Sequence, residues 1–141
     1  MPDELQVLGR AVKQAQYRQH RALDSRLATV GTSLAQWDAL RAISRSPGAS
    51  ARALAATTFQ SEQAFGTLAG RLVALGQIER RPGGGRRIEH YLTPSGEQVL
   101  AAGHRIADEV LNACFAPLGD AERTTLLRLL RRLTADADAD A

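Results

Sequence analysis

Residues 61–92 constrain the possible fold more than any other segment of this chain. Ser61 can cap a helix, and Glu62 is well placed in its first turn. Gly76 stands where a helix ends in a left-handed residue. Between them, apolar residues recur at spacings of three and four, at Phe65, Leu68, Leu72 and Leu75. The pattern predicts one amphipathic helix of about 15 residues, roughly 22 Å long, with these four residues buried.

The residues after this helix predict an antiparallel hairpin with an arginine-rich tip. A short strand at 77–81 is followed by a turn at 82–85, and residues 86–92 alternate between two faces. Residues 71–87 contain five arginines and one glutamate, a local charge of +4. A helix can enter the major groove of DNA, and an arginine-flanked hairpin can contact phosphates or the minor groove. The segment predicts a winged-helix DNA-binding module, although charged strand residues can also simply protect a sheet edge.

Five other helices are predicted around this module. The periodicity of residues 3–30 predicts one long first helix, and a short third helix is expected to turn Ala53, Leu54 and Phe59 inward. Capping residues mark the starts of later helices at Ser33, Ser50, Ser61 and Thr93, and a turn at 117–120 caps the sixth helix. The predicted order is α-α-α-α-β-β-α-α, a mainly α fold with a small β-wing.

Length and composition fit a single domain. A chain of 141 residues is usual for one domain, and the low aromatic content of 4% favours packed helices over a β-sandwich. We predict one domain at 1–134, with the winged helix at 33–93 and dimerisation helices at 3–30 and 94–134. The alternating Ala-Asp segment at 135–141 is predicted to be a disordered acidic tail.

Several functional classes lack support in the sequence. The single Cys114 excludes an intrachain disulfide and a Cys-rich zinc site; its apolar surroundings predict a buried, inert thiol, with a redox sensor as the alternative. His20, His90 and His104 are too scattered for a local metal motif, and His90 is predicted to be half-buried and hydrogen-bonded. No phosphate-binding loop or nucleophile–base pattern occurs, so neither an enzyme nor a cofactor is predicted. Without a long apolar run, the chain is expected to be soluble and cytoplasmic.

Two sets of side chains are candidates for DNA contact. Glutamine can pair with adenine, and arginine can bind guanine or phosphate, whereas a merely solvated helix face is the alternative. The helix set comprises Ser61, Gln63, Ala64, Thr67 and Arg71, and the wing set comprises Arg80, Arg86 and Arg87. Gly66 and Gly70 each cost the helix about 1 kcal/mol relative to alanine. Close approach of another backbone or of DNA would explain that glycine pair.

The terminal helices carry the candidates for self-association and for effector binding. Apolar residues that exceed what one small winged helix can cover predict a homodimer, and they are Leu5, Leu8, Val12, Leu126, Leu130 and Leu133. Candidate effector contacts, for a small aromatic or acidic ligand, are Tyr17, His20, Arg21 and Trp37. A core position for Trp37 and a solvated helix face for the others are the alternatives.

Four motifs carry a resemblance to a known family. These are S-L-A-Q-W-D-A-L at 33–40, S-x-x-x-L-A at 50–55, L-V-A-L-G-Q-I-E-R at 72–80 and G-R-R-I-E-H-Y-L-T-P-S-G at 85–96. With them the chain resembles the MarR-type winged helix-turn-helix regulators over roughly residues 5–133. The resemblance implies a homodimer with interlocked terminal helices and two winged helices on a pseudo-palindromic operator. It further implies a repressor that a small aromatic or acidic ligand releases from DNA; the alternative is a winged-helix protein–protein interaction module.

The chain departs from the family pattern at three places. Gly84 stands where the family commonly has Asp two residues before the wing arginine, here Arg86. Gly66 and Thr67 occupy positions in the recognition helix that often hold Thr and Arg. The usual Leu-Gly-Val turn before that helix is Thr-Phe-Gln at 58–60. Few side chains are therefore expected to contact the base edges, or those contacts are expected to come from Gln63 and Thr67 instead.

Overall fold

The protein is described by a computed structural model that covers the backbone of residues 2–139 and the side chains of residues 3–135. Its helices are α1 (Pro2–Leu27), α2 (Leu34–Arg45), α3 (Ala51–Thr57), α4 (Glu62–Ala74), α5 (Pro94–Phe115) and α6 (Asp120–Ala139). The strands β1 (Ile78–Pro82) and β2 (Ile88–Leu92) lie between α4 and α5, and a short 3-10 helix (Ala28–Val30) follows α1. The predicted order and the mainly α fold with a β-wing are confirmed. None of the described helices combines the length and apolarity needed to span a bilayer.

Side-chain caps fix the starts of four helices, as the sequence predicts. At each start, a Ser or Thr hydroxyl accepts a hydrogen bond from the backbone N–H three residues later, which satisfies a donor that the helix itself leaves unpaired. The donors are Gln36 to Ser33 at 3.1 Å, Ala53 to Ser50 at 3.3 Å, Ala64 to Ser61 at 3.0 Å and Gly96 to Thr93 at 3.1 Å.

The wing is anchored on both edges of its second strand. Strands β1 and β2 pair antiparallel, with Ile78 opposite Leu92 at the base. On the other edge of β2, the Gly48 N–H donates to the His90 carbonyl at 2.9 Å, and the His90 N–H donates to the Ala49 carbonyl at 3.2 Å. The loop before α3 therefore holds the outer edge of β2 in this two-stranded sheet.

The core connects the winged helix to the long helix α5. Trp37 is 3% exposed, and its indole Nε1–H donates to the Leu100 carbonyl of α5 at 3.3 Å. A Cβ at Gly103 would lie 2.2 Å from Trp37 Cδ1, so only glycine allows this approach. The indole therefore packs directly on the α5 backbone, which confirms the core position of Trp37.

Four side chains lie differently from their predicted positions. Ala53 is exposed on α3 rather than turned inward. Phe59 is 95% exposed rather than turned inward, because its backbone is left-handed (φ 58°) after the end of α3. Leu75 is 53% exposed rather than buried, because it caps α4 and lies beyond its last helical residue. Cys114 is exposed in the protomer rather than buried, since the apolar stretch around it does not face the core.

The terminal helices extend beyond the core with apolar residues uncovered. On α1, Leu5, Leu8 and Val12 are 72%, 57% and 46% exposed. On α6, Leu130 and Leu133 are exposed and Leu126 is half-buried. Helix α6 is assigned through Ala139 and so includes the first part of the segment predicted as an acidic tail. Residues 140–141 lie outside the described residues, and the disordered tail stays a prediction.

Candidate nucleic-acid interface

Helix α4 buries one side and exposes the polar side that the sequence predicts. Phe65, Ala69 and Leu72 are fully buried. The helix set of candidates, Ser61, Gln63, Ala64, Thr67 and Arg71, is exposed throughout. Two of its hydroxyls are already engaged, since Ser61 caps the helix and Thr67 Oγ1 donates to the Gln63 carbonyl at 3.2 Å. Within the described residues, the Gln63 and Arg71 side chains have no recorded hydrogen bond or ion pair, so they are the groups able to bind a ligand.

Arg80 connects the wing to the middle of α4. Its Nη2 donates to the Gly66 carbonyl at 3.0 Å. A Cβ at Gly70 would lie 4.0 Å from the same nitrogen, which is an ordinary contact distance, and a Cβ at Gly66 would meet no atom within 4 Å. Arg80 therefore binds the backbone of α4 without requiring either glycine, and no local sequence pattern predicts this contact because the two residues belong to different elements. Arg80 thus connects the wing to the helix while it remains exposed, and its contact with DNA stays a prediction.

A second network stiffens the wing. Arg81 forms an ion pair with Glu79 and lies over the Tyr91 ring, 4.3 Å from its centroid. The Tyr91 hydroxyl donates to Glu89 Oε1 at 2.8 Å. These hydrogen bonds raise the pKa of Tyr91 and of Arg81 above their ordinary values, so Arg81 stays charged and Tyr91 stays neutral at physiological pH. The charge of Arg81 is therefore partly balanced by Glu79 within the wing.

The wing tip presents Arg86 and Arg87. The turn closes through a bond from the Gly83 N–H to the Arg87 carbonyl at 2.8 Å, and Gly85 adopts the left-handed φ of 66° that the turn requires. Arg87 Nη2 lies 3.5 Å from the Gly48 carbonyl. For Arg86, the described residues include no hydrogen-bond or ion-pair partner, so its guanidinium is available at the tip.

His90 joins the base of the wing to the core of the helix-turn-helix. It is 1% exposed, its Nδ1 lies 2.9 Å from the Ala49 carbonyl, and its ring makes an edge contact with Phe65 at 5.9 Å. A carbonyl can only accept, so Nδ1 carries the proton. The predicted hydrogen-bonded His90 is confirmed, with deeper burial than expected. Among the described residues, no group of metal-ligating side chains comes together.

The four effector candidates do not form one cluster. Tyr17, His20 and Arg21 are exposed on α1, with the Arg21 guanidinium 5.7 Å from the Tyr17 ring centroid. Trp37 lies in the core, where Arg41 covers its ring at 4.8 Å and His104 meets its edge at 5.4 Å. The structure therefore brings Tyr17 and Arg21 together and leaves Trp37 inaccessible to a ligand on that face.

Comparison with known proteins gives a consistent result. The model of the MarR family matches residues 30–88. A mutant MarR from E. coli, solved with operator DNA, superimposes with a TM-score of 0.87 at 22% identity over 93% of this chain and 96% of that one. A probable transcriptional regulator from Pseudomonas aeruginosa gives 0.81 at 29% identity over 89% and 95%. Bordetella bronchiseptica BpsR, described for regulation of its DNA binding by 6-hydroxynicotinic acid, gives 0.84 at 20% identity over 90% and 98%. No curated protein sequence is significantly similar to the chain.

Arg80→Ala should lower the free energy of unfolding by about 0.5–1.5 kcal/mol, because it removes the hydrogen bond between the wing and α4. Arg86→Ala is the matched control and should change stability by less than about 0.5 kcal/mol, since its side chain is exposed without a recorded partner. Urea denaturation of both variants measures the difference. Equal stabilities would contradict a positioning role for Arg80.

Proposed function

We propose that the chain is a winged-helix regulator of the MarR type that binds DNA in a sequence-specific way, since the MarR family model matches residues 30–88 and the fold is that of a probable transcriptional regulator 29% identical to it. It acts as a homodimer and represses transcription from a pseudo-palindromic operator. A small aromatic or acidic effector releases it from DNA.

One observation carries the proposal of DNA binding. The exposed polar face of α4 and the arginine-bearing wing tip belong to two elements that Arg80 connects directly, through its bond to Gly66. Arg71 on the helix and Arg86 on the wing have no recorded acidic partner in the described part of the chain. Cations placed in this way neutralise phosphates, and a polar helix face between them reads base edges. The operator-bound E. coli relative supports this use of the fold.

The side chains of this interface have separate roles in the proposal. Gln63 reads a base, since its amide can bind adenine in a bidentate way. Arg71 and Arg87 contact phosphates, and Arg86 enters the minor groove or follows its backbone. Ser61, Ala64 and Thr67 form the remainder of the face, and the hydroxyls of Ser61 and Thr67 are already engaged in the helix.

Selection of bound duplexes from a random library, with the purified full-length chain, tests the proposed function. A recovered palindrome supports both sequence-specific binding and two-fold symmetry. Its affinity should fall steeply with salt, with a slope of log K against log salt of about −0.9 for each neutralised phosphate. If no duplex is enriched, the winged helix acts instead as a protein–protein interaction module.

Gln63→Ala should relax the preference at particular operator positions, whereas Arg71→Ala and Arg86→Ala should weaken binding to all sequences by about 1–3 kcal/mol and reduce the salt slope by about 1. The difference follows from base contact in the first case and phosphate contact in the others. Binding of each variant to a library of operator mutants measures it. A uniform loss for Gln63→Ala would exclude that residue from base reading.

Homodimerisation is proposed from the uncovered terminal helices. Helix α6 packs hardly at all on the rest of its own protomer, although its apolar residues line two open grooves. A two-fold partner that covers Leu5, Leu8 and Val12 on α1 and the α6 leucines would gain about 1.5–3 kcal/mol for each buried leucine. The same arrangement would hold two recognition helices about 34 Å apart, the spacing of successive major grooves.

Leu130→Asp should therefore abolish both dimerisation and operator binding, because a carboxylate cannot be buried between apolar helices without a large cost. Leu75→Asp, which changes a leucine of similar exposure outside the terminal helices, should leave the dimer intact. Sedimentation at micromolar concentration measures the oligomeric state. A wild-type monomer that still binds a palindromic duplex tightly would contradict the proposal.

The effector is proposed to be an aromatic carboxylate that contacts α1. Arg21 supplies a cation and Tyr17 an aromatic face at 5.7 Å from it, with His20 beside them. The description of BpsR, whose DNA binding is regulated by 6-hydroxynicotinic acid, supports this choice because that compound is an aromatic acid. Buried Trp37 has no part in the contact.

Release of a labelled operator by 6-hydroxynicotinic acid should require at least tenfold more ligand in Arg21→Ala, because a charge-assisted hydrogen bond is lost. Arg18→Ala, which removes another exposed arginine of α1, is the control and should respond like wild type. Competition titrations measure both. An unchanged response in Arg21→Ala would place the effector elsewhere.

A further inference from the structure

The turn between α3 and α4 holds a phenylalanine in a conformation that glycine normally occupies. The Phe59 N–H donates to the Ala56 carbonyl at 3.3 Å, and the Gln60 N–H donates to the Ala55 carbonyl at 2.9 Å. This pair of bonds is a Schellman motif, whose left-handed residue, here Phe59 with φ 58°, is usually glycine. Every other residue with positive φ in the described part of the chain is a glycine.

Nothing in the protomer compensates for the strain at Phe59. A left-handed backbone carries a steric cost for any residue with a Cβ. The side chain is 95% exposed, so it gains no burial in return. A strained conformation that persists without an internal contact indicates a role outside the protomer.

The position of Phe59 indicates what the ring contacts. It lies two residues before Ser61, the cap of α4, so its Cα is within about 7.6 Å of the Ser61 Cα. The exposed side chains that follow along the chain are Ser61, Glu62, Gln63 and Ala64, and all of them except Glu62 belong to the proposed DNA face. The ring therefore extends that face beyond the N-terminal end of α4.

We propose that Phe59 is a specificity-determining residue that packs against thymine methyl groups in the major groove. An apolar ring cannot bind phosphate, and the thymine 5-methyl is the apolar feature that the major groove presents. This inference rests on the proposed function, since it requires α4 to enter the groove. The strain in the turn then serves to point an aromatic side chain at DNA, where glycine would leave a gap.

The test uses a duplex selected from a random library by the wild-type chain, and the same duplex synthesised with deoxyuridine in place of every thymidine. This change removes methyl groups and keeps all hydrogen-bonding edges. Wild type should bind the thymine duplex about fourfold more tightly for each methyl that it buries. Phe59→Gly should lose most of that preference, whereas Val73→Ala, a change to an exposed apolar residue at the far end of α4, should keep it.

Thermal unfolding separates this role from a structural one. Phe59→Gly should raise the melting temperature by about 2–6 °C, because the strain is relieved and no packing is lost. Phe59→Ala should lose the thymine preference without this gain, since alanine keeps a Cβ in the left-handed turn.

Several outcomes would overturn the inference. A thymine preference retained in Phe59→Gly would exclude the ring from base contact and leave the proposed function standing. A lower melting temperature or a changed oligomeric state in Phe59→Gly would assign the ring to packing within or between copies of the chain. If the wild type enriches no duplex at all, the proposed function fails first and the role of Phe59 fails with it.

Discussion

The contact between Trp37 and Gly103 joins the two parts of this protein. The indole lies on the backbone of α5 and donates to Leu100, so α2 cannot rotate against α5 without breaking both the packing and the hydrogen bond. Elsewhere on α5, Arg26 of α1 pairs with Glu109 at 2.5 Å, which joins the two long helices. The winged helix is thus attached to α5 through the close contact of α2 at Trp37.

Local signals in the sequence were sufficient to predict the elements but not the contacts between them. Hydroxyl caps such as Ser61 and the apolar spacing of α4 depend only on residues that are close in the sequence. The predictions made from them are confirmed. The Arg80 bond to Gly66 joins two elements, and no single-element pattern encodes it. The exposure of Phe59 depended on a left-handed turn that its residue type disfavours, so an apolar residue near a helix end was wrongly expected to face the core.

The arginines of the proposed DNA surface lower the stability of the protein when no DNA is bound. Arg71, Arg86 and Arg87 carry like charges on neighbouring elements, and among the arginines of residues 71–87 only Arg81 forms an ion pair with a described acidic side chain. Repulsion of this kind destabilises the protein alone and is relieved when a polyanion binds. A ligand that binds only the folded chain also stabilises it by mass action, so the folded state and the DNA-bound state are thermodynamically linked.

The two anchors of the wing have a consequence for how its length can change. Arg80 fixes β1 to α4, and the backbone bonds of His90 fix β2 to the loop before α3, so both attachments lie towards the base of the hairpin. The turn at 83–86 makes no contact with the core that an added residue would break, and exposed loop tips of this kind tolerate insertion best. The length of the wing can therefore differ by single residues between homologous chains, while the structure of the helix-turn-helix stays the same.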